Sequence, residues 1–167
     1  MHVGIIADTH DNVTAVERAT ELFADEGVEV VVHCGDFIAP PVVSAFEGFE
    51  LHGVLGNNDG EISGLESAFD ALGTESELHG RFADLEFDGL SLAVLHGESL
   101  PEVRALADAE TYDVICYGHH HEREYTETGR TTVVNPGGHF PTIPAEHRTV
   151  AILDTLSETI RFRSVLE

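Results

Sequence analysis

The chain has 167 residues and carries 31 Asp and Glu against 8 Lys and Arg, a formal net charge of −23. All eight bases are arginine; there is no lysine. Such a surface repels nucleic acid and other polyanions at low ionic strength, so no stable nucleic-acid binding is expected.

Hydrophobic residues make up 42%, enough for a core, and the length fits one domain over residues 1–167. No run of 18 or more apolar residues exists, so no membrane partner is expected. The N-terminus lacks a basic n-region and does not read as a secretory signal. Cys34 and Cys116 lie in apolar runs and read as reduced core residues of a cytoplasmic protein. The acids are spread along the chain, densest from Glu61 to Asp88, where only Arg81 is basic. That pattern is similar to proteins of salt-loving archaea. At about 1 M salt the Debye length is ~3 Å and the self-repulsion is screened. A basic partner is the alternative.

His2 to Ala7 reads as a buried strand ending at Asp8-Thr9-His10-Asp11-Asn12. A helix follows, with Thr14 and Glu17 at capping-box spacing, Val13, Val16, Ala19 and Phe23 on one face, and Gly27 as its stop. Val28 to Cys34 is a second strand, ending at Gly35-Asp36. Pro40-Pro41 opens a short helix toward Phe46. Leu51 to Leu55 is a third strand, ending at Gly56-Asn57-Asn58-Asp59-Gly60, and a helix covers Ile62 to Leu72. This β-α-β-α-β start implies a parallel sheet with helical crossovers. Gly80 to Phe87 and Leu90 to Leu95 flank Asp88-Gly89, a hairpin signal, and the second of them ends at His96-Gly97. Pro101 starts a helix through Ala109. Asp113 to Tyr117 is a buried strand ending at Gly118-His119-His120-His121. Glu122 to Thr126 and Thr131 to Val134 flank a Gly129 turn, and Thr149 to Leu153 with Thr159 to Val165 close the chain as a hairpin.

Five apolar strands therefore end in a residue able to bind metal: Asp8, Asp36, Asn57, His96 and His119. Ligands collect outside the carboxyl ends of strands in α/β sheets. In an extended segment successive side chains alternate, so His119 and His121 face one way and His120 the other. His120 is expected outside the ligand set.

Asp8-x-His10, Gly35-Asp36, Gly56-Asn57, His96 and Gly118-His119-x-His121, in this order, resemble the motifs of the calcineurin-like metallophosphoesterases. The resemblance covers nearly the whole chain. Asn135-Pro136-Gly137 is similar to a late turn of their small bacterial and archaeal phosphodiesterase subgroup. It implies an α/β fold, a four-layer α-β-β-α sandwich of two mixed sheets, with two divalent metal ions per chain. By that resemblance one ion is held by Asp8, His10, Asp36 and His121, the other by Asp36, Asn57, His96 and His119, with Asp36 bridging. The implied activity is hydrolysis of a small phosphate diester by a metal-bridging hydroxide. Carboxylate, amide oxygen and imidazole together suit Mn²⁺, the first expectation, or Fe²⁺, Ni²⁺ or Zn²⁺. Two such ions about 3.5–4 Å apart clamp both oxygens of an in-line displacement.

One departure matters. Many family members carry a histidine after the motif asparagine; here the residue is Asn58, which donates hydrogen bonds but delivers no proton at neutral pH. The proton for the leaving group is then expected from water, Asp59 or His139. Asn58, Asp59 and His139 are the candidate catalytic residues, and Asn12 and Asn58 candidate substrate contacts, with a helix N-cap the other reading of Asn12. A phosphodiesterase is favoured over a phosphomonoesterase or nucleotidase. A scaffold module, as in the retromer subunit of this fold, is the reading without catalysis. His33 reads as a core residue, His52, His79 and His147 as solvated, and Arg123, Arg130 and Arg148 as solvated or as phosphate clamps. A homodimer or higher homo-oligomer is left open.

Overall fold

Runs of β-branched residues set the inner strands, and the computed structural model describes them within residues 1–73 and 75–166. In chain order the elements are β1 (His2–Ile6), α1 (Val13–Asp25), β2 (Val28–His33), α2 (Pro40–Ser44), β3 (Glu50–Gly53) and α3 (Ile62–Leu72). There follow β4 (Glu77–Leu78), β5 (Phe82–Phe87), β6 (Leu90–Leu95), α4 (Leu100–Asp108) and β7 (Val114–Cys116). The chain closes with β8 (Glu124–Thr128), β9 (Thr131–Asn135), a 3-10 turn at Ala145–His147, β10 (Thr149–Asp154) and β11 (Thr159–Ser164).

The strands form two mixed sheets. One has the order β11-β10-β1-β2-β3-β4, the other β5-β6-β7-β9-β8. β1, β2, β3 and β4 run parallel, as do β6, β7 and β9, while β10, β11, β5 and β8 pair antiparallel at the flanks. Three apolar layers separate four layers of structure. Phe23, Val42, Phe46, Leu65 and Phe69 pack α1–α3 on the six-stranded sheet. Val3, Ile5, Val32, Leu92, Val94 and Cys116 fill the space between the sheets. Ala93, Ile115, Val133, Val103 and Ala107 pack α4 on the five-stranded sheet. The expected α-β-β-α sandwich is what forms.

Four local readings need correction. α1 is capped by Asn12, whose Oδ1 accepts from the Ala15 N–H at 3.2 Å, so the Thr14–Glu17 spacing serves no capping box. The helix begins before Thr14, because the loop from Asp8 already delivers Asn12 at the turn. β4 escapes a pattern reading because two residues cannot show alternation. β8 starts at Glu124, not Glu122. The histidine triplet is not extended: His119 and His121 have φ of 67° and 58°.

Candidate metal centre

The loops that leave β1, β2, β3, β6 and β7 are laced together before any side chain is considered. Asp8 N donates to Gly35 O at 3.0 Å, His10 N to Asp36 O at 3.1 Å, and Gly118 N to His96 O at 2.9 Å. Asp59 ties the second loop to the third: its Oδ2 accepts from Asp36 N and Gly56 N at 2.9 and 2.8 Å, its Oδ1 from Ile38 N at 2.7 Å. Two glycines bring the backbone up to the carboxylates. A Cβ at Gly118 would stand 2.7 Å from Asp8 Oδ2, and one at Gly56 would collide with the Asp36 carboxylate.

This lacing gathers all seven expected ligands. His121 Nε2 lies 3.2 Å from Asp8 Oδ1, and His10 Nε2 lies 3.9 Å from the same oxygen and 3.2 Å from Asp36 Oδ2. On the other side Asp36 Oδ2 is 3.5 Å from His96 Nε2. Asn57 Oδ1 is 3.0 Å from both His96 Nε2 and His119 Nδ1, which are 3.3 Å apart. One carboxylate oxygen, Asp36 Oδ2, thus faces both groups. Asp8 also lies within reach of both, since Asp8–His10–His121 and Asp8–Asp36–His96 each bring ligand atoms within 4.8 Å of one another. Asp8 Oδ1 and His10 Nε2 are buried without a hydrogen-bond partner among the described residues. Ligands about 2.0–2.2 Å from a central ion stand ~3.0–3.5 Å from one another, which most of these spacings match. The donor set and the orphaned atoms fit divalent cations.

His96 is oriented for that task. Its Nδ1–H donates to the Cys34 carbonyl at 2.8 Å, which leaves Nε2 with its lone pair toward Asn57 and Asp36. Burial alone would raise the Asp36 carboxyl, but the His10 and His96 imidazoles beside it and the hydrogen bonds from Asn58 outweigh it and hold the pKa well below the usual carboxylate value. Asp8 is likewise lowered, burial being overcome by His10 and His121. The nearby carboxylate of Asp36, then that of Asp8, raises His10 to about 9. The two buried carboxylates therefore attract positive charge, as protons on imidazole or as metal.

The other expected residues occupy supporting positions. Asn58 donates its backbone N–H to Asp36 Oδ1 at 2.9 Å and its amide to Oδ2 at 2.7 Å, so it fixes the carboxylate shared by both groups. Asp59 is corrected from proton donor to scaffold, because its two oxygens accept the three backbone N–H groups described above. His139 is 2% exposed, and burial lowers its pKa to about 4, so it is neutral near pH 7 and not a proton donor there. It lines a small cavity with Arg18 and Arg148, outside the ligand cluster. Asn12 caps α1 and donates its amide to His139 O, so its polar atoms serve the fold. His120 turns to the Gly97 carbonyl at 3.1 Å. It stands apart, as expected, but the cause is the left-handed backbone at both neighbours, not strand alternation. Arg148 binds the Ile143 and Pro141 carbonyls, and Arg130 the Glu110 carbonyl; Arg123 lies 5.2 Å above the Phe162 ring. His147 accepts from Arg123 N at 3.1 Å, and His52 and His79 hydrogen-bond each other, so none of these three is simply solvated.

Two residues here were not singled out from the sequence, and a third, Asn135, was named only within a turn motif. Phe140 packs against two of the expected ligands, its ring 4.6 Å from that of His10 and 4.7 Å from that of His121, which stand edge to face 5.6 Å apart. Asn135 donates to Gly118 O at 2.9 Å, and Thr9 joins His33 to the Asp36 carbonyl. Only Asn135, inside the Asn-Pro-Gly turn, carried a sequence signal.

A family model described as the calcineurin-like phosphoesterase superfamily domain matches residues 1–158. The chain belongs to that superfamily. Among its relatives in the superfamily, a phosphodiesterase of Methanocaldococcus jannaschii is 36% identical over 166 residues, 96% of this chain and 97% of that protein. The structure of an archaeal phosphodiesterase superposes with a TM-score of 0.88 at 33% identity, over 98% of this chain and 99% of that one. A phosphoesterase from E. coli shares the superfamily fold, with a TM-score of 0.68 at 22% identity over 99% and 100% of the two chains.

Proposed function

We propose that this chain is a metal-dependent phosphodiesterase for small phosphate diesters, using two divalent cations with Mn²⁺ foremost. The observation that carries the reading is Asp36 Oδ2, held by Asn58 and facing His10 on one side and His96 on the other. One ion falls to Asp8, His10, Asp36 and His121, and the other to Asp36, Asn57, His96 and His119. Bound there, the cations supply Lewis-acid activation of water and of the phosphoryl oxygens. The protein's part is to fix the donors. Asn58 orients Asp36, the Cys34 carbonyl sets the His96 tautomer, and Phe140 packs against both the His10 and His121 rings. Asn57, Asn58 and His119 form the side of the site open to substrate.

None of Asn58, Asp59 and His139 is set to hand a proton to a leaving alkoxide. Asn58 is a neutral amide, Asp59 is spent on backbone N–H groups, and His139 is buried and neutral. Water supplies that proton, which favours diesters with good leaving groups over alkyl monoesters. With added Mn²⁺ the protein should hydrolyse an aryl phosphodiester faster than the matching monoester, and His96→Ala should abolish the activity. A monoester rate above the diester rate, or full activity in His96→Ala, contradicts the reading.

The same proposal places the protein in a high-salt cytoplasm. Its support is the −23 charge without lysine, together with the two cysteines buried and unpaired. Screening then predicts a melting temperature that rises from dilute buffer to molar salt. A flat profile speaks against it.

A further inference from the structure

Glu50-Leu51-His52 and Glu77-Leu78-His79 are the same tripeptide, and the fold sets them side by side. β3 and β4 run parallel with His52 opposite Glu77 and Gly53 opposite Leu78. Strand alternation then puts Glu50, His52, Glu77 and His79 on one face of the sheet edge. Leu51 and Leu78 point the other way, into the layer under α1–α3. The two imidazoles are mostly covered, with side chains 12% and 15% exposed. Their outer nitrogens face carboxylates: His52 Nε2 is 2.8 Å from Glu50 Oε1, and His79 Nδ1 is 3.4 Å from Glu77 Oε1. Their inner nitrogens, His52 Nδ1 and His79 Nε2, are 2.9 Å apart.

A neutral imidazole has one N–H. If each ring gives it to its glutamate, two bare lone pairs meet at 2.9 Å. If one ring instead gives its N–H to the other, the lone pair left on its outer nitrogen faces its own glutamate. Every neutral arrangement leaves one repulsive contact, and one cation between the rings removes it. A metal-bound histidine that donates its outer N–H to a carboxylate is the arrangement that holds such ligands in place. We propose that His52 and His79 form a second metal site, separate from the catalytic centre, for a borderline divalent ion such as Zn²⁺, with water completing its shell. Nitrogens ~2.1 Å from a tetrahedral ion stand ~3.4 Å apart, so the rings need open only by about half an ångström. The alternative occupant is a proton. Burial, with His52 adding to it, lowers the His79 pKa below its ordinary value despite Glu77, so His79 itself holds a second proton poorly near neutral pH. An ion there ties the two-residue edge strand β4 to β3, just ahead of the Leu55 N to Gly80 O bond that leads into the Asn57 loop.

The test is zinc content after dialysis against Zn²⁺, in wild-type protein, His52→Gln and His79→Gln. Wild type should retain one more ion per chain than either variant, while Mn²⁺-supported hydrolysis is the same in all three. Should the variants fail to fold, wild-type protein suffices: Zn²⁺ should shift the ring resonances of both His52 and His79 in nuclear magnetic resonance spectra. Equal zinc contents, or ring resonances that do not move, overturn the site and leave a shared proton as the occupant.

Discussion

Two regions of the molecule use the same uncommon backbone conformation for different ends. Among the described residues, ten other than glycine have positive φ. Asp88, Glu110 and Glu158 lie in surface turns. The other seven are Asp8, His10, Asp11, Asp36, Ile38, His119 and His121, all in the loops of the metal centre. Each such residue costs on the order of 1 kcal/mol against an ordinary conformation. In a turn, any residue that tolerates the conformation serves. At the centre the strain sits on five of the seven expected ligands, Asp8, His10, Asp36, His119 and His121. The difference separates positions where geometry alone matters from positions where geometry and chemistry are both required.

The comparison breaks first at the ligands. His119→Gly and His121→Gly relieve the same strain that glycine relieves in a turn, yet each removes an imidazole. Hydrolysis with Mn²⁺ should fall to background in both, while the melting temperature of the protein stripped of metal by chelator stays level or rises. Retained activity would mean that these loops, like the turns, need only their backbone. Asn58→Ala comes next. It leaves every ligand in place and removes one hydrogen bond to Asp36 Oδ2. Loss of about 10–100-fold in activity or metal affinity is the expected scale for such a supporting contact. An unchanged rate would show that Asp36 is held well enough by the Asn58 backbone N–H.

Five of the expected ligands, Asp8, Asp36, Asn57, His96 and His119, were legible because each ends an apolar run and strand exits share one edge of an α/β sheet, whereas His10 and His121 rest on the motif resemblance. α3 was legible to the residue because its apolar spacing is regular and Gly73 ends it. What stayed hidden depends on partners far along the chain. Asp59 is an ordinary loop acid until the Asp36, Ile38 and Gly56 amides converge on it. His139 looked like a donor until burial made it neutral. β4 is too short for any periodicity, so the pairing of the two Glu-Leu-His segments could not be seen before the register was known. The correct place of His120 followed from a wrong premise: alternation and a left-handed pair both turn a middle residue outward.

His33 sharpens the comparison from inside the core. It stacks on Phe37 at 3.6 Å, accepts from Gly35 N at 3.1 Å and so offers Nε2–H to Thr9 at 3.0 Å. Burial lowers its pKa from 6.5 to about 3. A histidine lowered on folding contributes full stability above its unfolded value and loses it as the pH falls through that value. Between pH 6.5 and about 3 it should cost up to about 1.4 kcal/mol per pH unit. His33→Phe removes the titrating group, so its stability should fall less steeply over that window, measured by denaturant unfolding. Parallel slopes would show that His33 is not held neutral.

The smallest effect is expected at Glu158, the turn counterpart of His121. It follows Ser157 in the β10–β11 turn, where Asp154 Oδ1 accepts from Leu156 N and Ser157 N at 2.9 and 3.3 Å. That bonding belongs to Asp154 and survives any change at Glu158. Glu158→Gly removes the left-handed strain of a φ of 55° and adds freedom to the unfolded chain, two effects of similar size and opposite sign. The net change should lie within about 1 kcal/mol, with activity intact. Glu158→Val keeps the strain and adds a branched Cβ, which is poorly tolerated there, and should cost about 1–3 kcal/mol. If valine were as stable as glycine, the turn would not enforce its backbone, and the strain at His121 could not be read from φ alone.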